Sequence, residues 1–168
     1  MATRSHSSGA VVLMLDNVVK LAVSAADVDG AYCVVDVTAP VGGRSPVLHT
    51  HPPSESFYTL AGTLTLYRET VSGGIEELDV PTGCAAFVPS GAAHTYCNRG
   101  DVPVRFVVVS DGDVMERFFL SAGVPVDDAD NVPALEPERL GEAAERARSA
   151  GEVLGFSFLG PVTAGATS

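Results

Sequence analysis

Cations are scarce in this chain: Lys and Arg number 10 against 21 Asp and Glu, a formal net charge of −11. That deficit argues against nucleic acid and against an anionic membrane surface, both of which recruit basic faces. It also disfavours a strongly anionic substrate. No run of 18 apolar residues occurs, so no membrane-spanning helix is expected. Residues Met1 to Gly9 are polar, and neither an apolar h-region nor a secretory cleavage site follows them. Cysteine is sparse and odd in number, with Cys33, Cys84 and Cys97 far apart. Such spacing suits small buried hydrophobes in a reducing cytoplasm rather than a disulfide framework. What is present in quantity is apolar residue: 46% of 168 residues, with a mean hydropathy of +0.24. A chain of this size and composition supports one domain with a real core.

Most of that apolar content comes as short β-type runs. Val11 to Leu15, Val18 to Val23 and Tyr32 to Val37 are separated by Asp16-Asn17 and by Asp27-Val28-Asp29-Gly30. Further runs are Phe57 to Leu60, Thr63 to Glu69, Ile75 to Val80, Ala85 to Val88, Ala93 to Cys97 and Val104 to Val109. Turn residues divide them, among them Gly62, Gly73-Gly74 and Gly83. Many short strands at this spacing predict a sandwich or barrel. Beyond residue 110 the character changes. Asp113 is placed to cap a helix through Leu120 with Gly123 past its end, and an acidic, proline-rich loop runs to Pro137. Glu138 to Ala150 reads as a second helix stopped by Gly151, and Val153 to Leu159 is apolar again. We therefore expect a tail over residues 1–9, a β-barrel over 10–110 and a helical arm over 111–168 packing on it.

Histidine is also scarce, four in all, and three fall in two segments. The first reads Gly43, five residues, His49-Thr50-His51, three residues, Glu55, six residues, Gly62. The second reads Gly83, five residues, Pro89-Ser90-Gly91, two residues, His94, three residues, Asn98. On an extended strand His49 and His51 share a face, and Glu55 keeps their parity although Pro52-Pro53 must bend the chain between them. His94 would supply a third imidazole from another strand. Imidazoles with a carboxylate suit iron, nickel, manganese, cobalt, copper or zinc better than calcium or magnesium. Parity from Glu55 places Phe57 and Thr59 on the same side, and parity from His94 places Tyr96 there, as core or as substrate contacts. Asn98, before Arg99-Gly100-Asp101, suits a turn better than catalysis.

With their fixed positions all met, the two segments resemble the paired motifs of the cupin superfamily. Glu116-Arg117-Phe118-Phe119 and Gly123-Val124-Pro125 resemble the flanks of small single-domain cupins related to quercetin dioxygenases. The resemblance implies an all-β fold, a double-stranded β-helix (jelly roll), with one divalent transition metal per chain held by His49, His51, Glu55 and His94. It further implies an oxygenase acting on a small aromatic or enolisable substrate, with Glu55 both ligand and catalytic base for a substrate hydroxyl. The alternatives are a non-redox metal cupin (cyclase, isomerase or lyase) and a small-molecule-binding cupin without turnover. A homodimer is expected through Ala10 to Leu15 and Val18 to Val23, unless those strands close the protomer's own sheet.

Overall fold

The structure, a computed structural model, describes residues 9–43, 47–127 and 137–162. Residues 1–8 of the tail expected over 1–9, and residues 128–136 of the proline-rich loop expected to run to Pro137, lie outside the described residues. Twelve strands are described: β1 (Val11–Met14), β2 (Asn17–Val23), β3 (Tyr32–Ala39), β4 (Leu48–Thr50), β5 (Glu55–Ala61) and β6 (Thr63–Glu69), then β7 (Ile75–Pro81), β8 (Ala85–Val88), β9 (His94–Cys97), β10 (Val104–Asp111), β11 (Val124–Pro125) and β12 (Ser157–Gly160). Helix α1 spans Val114–Ala122 and α2 spans Pro137–Val153. A 3-10 turn at Ala25–Val28, capped by the Ser24 hydroxyl, interrupts the β2–β3 connection.

The strands form two antiparallel sheets. One runs β11-β1-β2-β3-β10-β5-β8, the other β12-β4-β9-β6-β7. This is the expected jelly roll. Alternation sets the facing: on β3, Cys33, Val35, Val37 and Ala39 are buried while Val34, Asp36 and Thr38 are not. Val104, Phe106 and Val108 do the same on β10, and Glu55, Phe57 and Thr59 on β5. Register aligns these rows, with Val108 opposite Val35 on one side and Phe57 on the other. Leu64 and Leu66 of β6 meet them from the second sheet. Each such side chain, fully buried, contributes about 1.5–3 kcal/mol.

Glycine is required where strands reverse most tightly. Gly62, at φ 79°, joins β5 to β6, and a Cβ there would sit 3.1 Å from the Pro103 carbonyl oxygen. Asn98 is the other fixed point: its Nδ2 donates to the carbonyls of Ala39, Pro40 and Val102, while Oδ1 accepts from Gly100 N–H. It serves the turn, as its position in the sequence indicated.

At the N-terminal strands the stated alternative holds. Strand β1 is hydrogen-bonded on both sides within the protomer, to β2 and to β11, so its edge is not open. The N-terminal strands close the protomer's own sheet. The C-terminal arm, expected to pack on the barrel, contributes β12 to the five-stranded sheet, and Met115 and Phe118 of α1 are buried in the main core. Glu116 fastens α1 there, accepting from the Ser24 hydroxyl and the Ala25 N–H at 2.8 Å each. Asp113 stands at the N-cap of α1 but makes no side-chain cap bond.

Candidate metal centre

Pro52 and Pro53 do more than bend the chain: β4 ends at Thr50 in one sheet, and β5 begins at Glu55 in the other. The His-x-His pair and Glu55 therefore face each other across the gap between the sheets. His94 joins them by register, since it lies directly opposite His49 on the neighbouring strand β9. Opposite residues of an antiparallel pair share a face. Ligating atoms of His49, His51 and His94 all lie within 4.8 Å of one another, and all three residues are buried.

Their tautomers are set by the backbone. The Nδ1 atoms of His49, His51 and His94 meet the carbonyls of Val47, Pro53 and Ala92 at 2.8, 3.0 and 3.0 Å. A carbonyl only accepts, so each Nδ1 carries a proton and donates. Each Nε2 is left to present a lone pair. Yet His94 Nε2 lies 3.0 Å and His51 Nε2 3.3 Å from the same oxygen, Oε2 of Glu55. His51 Nε2 is buried with no hydrogen-bond partner. Lone pairs and a carboxylate pressed together in a buried place need a cation among them. A divalent transition ion meets that need, and this donor set fits one.

The electrostatics agree. Burial alone would raise the Glu55 carboxyl, but positive charge placed at His51 and His94 outweighs it and holds the group ionised, well below the usual carboxylate range. Burial, with His94 beside it, pushes His49 down to about 3. His94 is also pulled down by burial, but the Glu55 carboxylate overcomes this and raises it. Protons therefore compete with metal first at His94. Because a protonated imidazole cannot ligate, metal affinity should fall about tenfold per pH unit once the pH drops below the raised His94 value, if one proton is displaced. Competition titrations with a chromophoric chelator at pH 7.5, 6.5 and 5.5 measure this directly, and a pH-independent affinity would refute it.

The centre opens on an apolar cavity with a free volume of about 30 Å³. Phe57 and Tyr96 line it, as parity from the motif residues indicated. Thr59 does not: parity faced it inward, but its hydroxyl donates to the Val80 carbonyl at 2.9 Å, away from the lining. Sequence reasoning missed Met14, Asn17, Met115, Phe118 and Phe119, which complete the wall. Only the Phe118-Phe119 pair had been marked, as a flank rather than as lining.

Residues 35–110 match the family model described as the cupin domain. The chain carries a cupin domain over those residues. Solved cupin-fold structures share its architecture. A mutant of Bacillus subtilis oxalate decarboxylase aligns with a TM-score of 0.57 at 20% identity, over 67% of this chain and 31% of that one. The polyketide cyclase RemF from Streptomyces resistomycificus gives 0.53 at 21%, over 66% and 80%. A predicted oxalate decarboxylase from Thermotoga maritima gives 0.52 at 21%, over 67% and 99%. At these identities the likeness is one of fold. No curated protein matches this cupin in sequence.

Proposed function

We propose that this cupin is a metal-dependent oxygenase for a small aromatic or enolisable substrate, with His49, His51, His94 and Glu55 as ligands and Glu55 also as base. The observation that carries the reading is the convergence of three Nε2 lone pairs and a carboxylate at the end of an aromatic, apolar cavity. A divalent transition ion there would acidify a substrate hydroxyl and, if redox-active, exchange electrons with dioxygen. Glu55, held ionised, accepts the hydroxyl proton at a carboxylate oxygen. Phe57, Tyr96 and Phe118 supply ring faces and edges for a planar substrate and exclude water. A volume of about 30 Å³ is too small for a ring, so admitting one requires the side chains of α1 that wall the cavity to move. No arginine or lysine is among the lining residues. A dianion such as oxalate, after which two of the structural neighbours are named, would therefore lean on the ion alone.

The same lining suits a phenolic polyketide, which makes a non-redox cyclase the second reading. An oxygen electrode separates the two. Protein reconstituted with iron, nickel or manganese should consume dioxygen with a phenolic panel, in step with substrate loss. Conversion without oxygen uptake, supported equally by zinc, would assign it to the cyclase class. Tight binding without conversion would make it a binding protein.

Assembly follows the same logic of exposed surface. With β1 covered, a homodimer would use the outward face of the seven-stranded sheet, where Tyr58, Leu60, Phe87 and Val109 are exposed. Light scattering should give twice the chain mass, reduced to one chain in Phe87→Lys. A wild-type monomer at all concentrations would rule the dimer out.

A further inference from the structure

Outside the motifs, one side chain touches two of the three histidines. Phe156 is buried, with its ring centroid 4.9 Å from His51 and 5.8 Å from His49, the latter stacked at an interplanar angle of 16°. We propose that Phe156 is a positioning residue for the metal centre, fixing the ring planes of His49 and His51 from outside the cavity lining. The inference rests on the metal-centre reading above.

The chain is built to deliver this ring. At the end of α2 the Gly151 carbonyl accepts from both Leu154 and Phe156 N–H groups at 2.9 Å. A Cβ on Gly151 would lie 2.7 Å from the Phe158 ring and 3.1 Å from Phe156 Cβ, so only glycine lets the helix end this close. Gly155, at φ 85°, then reverses the backbone, and its own Cβ position would meet Pro52 Cγ at 3.2 Å. Pro52 sits between His51 and Glu55, so the terminal segment packs against the bend that carries two of the proposed ligands. Strand β12 completes the fastening: Ser157 pairs with Thr50 and Phe158 with His49.

The histidines need such a support. The bond from Nδ1 to a backbone carbonyl fixes the tautomer and one edge of each ring, but leaves rotation about that edge. An aromatic face against the ring removes the rotation, because stacking prefers defined planes. Phe156 also stacks on Phe118 of α1 at 4.4 Å and 21°. One phenyl ring thus joins the ligands to the helix that walls the cavity.

The test is metal affinity and ligand geometry, read without turnover. Phe156→Leu keeps apolar volume and loses the ring face. It should bind zinc about 10–100-fold more weakly, the usual cost of losing an outer-shell orienting group. Its cobalt(II) derivative should show visible absorption bands altered in position and intensity. Val19→Ala, a core truncation between β1 and β3, controls for lost stability and should leave both unchanged. Phe156→Met, whose flexible chain fills irregular gaps, carries the same test if the leucine variant does not fold. An unchanged cobalt spectrum, or an affinity loss matched by Val19→Ala, overturns the proposal while the metal centre stands. Wild-type protein that takes up no metal overturns the centre itself, and this inference with it.

Discussion

Glu55→Gln protein keeps its metal and loses about 10²- to 10⁴-fold in turnover, the usual worth of a positioned general base. The substitution preserves shape and leaves a neutral oxygen donor, so three imidazoles and an amide oxygen still converge. What disappears is the proton acceptor. In the resting site positive charge placed at His51 and His94 holds Glu55 ionised, which makes it available but weakly basic. Burial pulls the other way, and it dominates once an arriving hydroxyl takes the place of those partners. The apolar wall of Phe57, Val108 and Met115 then makes the carboxylate a competent base. Metal content by elemental analysis and single-turnover rates, measured on one preparation, decide the matter. If both fall in proportion, Glu55 is a ligand alone. Activity close to wild type with metal retained sinks the proposed chemistry.

Removing a histidine acts on the other quantity. His51→Ala and His94→Ala should each lose metal affinity by more than the about 10–100-fold that an outer-shell change costs. Reconstituted protein should then retain far less than one ion per chain after desalting. His94 matters doubly, because it meets Glu55 at 3.0 Å and stands opposite His49 in the sheet. The fold should survive in both variants. Val35, Val37, Leu64, Leu66 and Phe106 are buried in a core that contains no ligand, so β-type circular dichroism should persist. Full metal occupancy in both variants would remove these histidines from the site.

The proposed centre was legible because its geometry is local on each side. His49, His51 and Glu55 lie within one short segment, and the proline pair announced a bend that became the passage between sheets. Strand positions were equally plain, since β-branched runs broken by glycine leave few alternatives. Parity gave facing but not depth: it turned Thr59 inward correctly and could not show the Val80 carbonyl that occupies its hydroxyl. Contacts between distant segments left no such trace. Nothing in the periodicity of residues 113–122 or 151–160 says that Phe118 and Phe156 stack against each other and that Phe156 reaches the histidines. A strand that looks like a free edge, as β1 did, is covered only by residues 124–125.

Strand β4 carries His49, with His51 just past its end, on only three residues, and its partners are β9 and β12. Both lie far downstream, so β4 has no local hairpin in which to form. Its pairings close large loops, whose entropy must be met before the contacts return anything. During synthesis the His-x-His pair leaves the ribosome early, yet its sheet cannot be completed until the chain has been made as far as Gly160. Support of His49 from both neighbouring strands is thereby postponed to the last stage of folding.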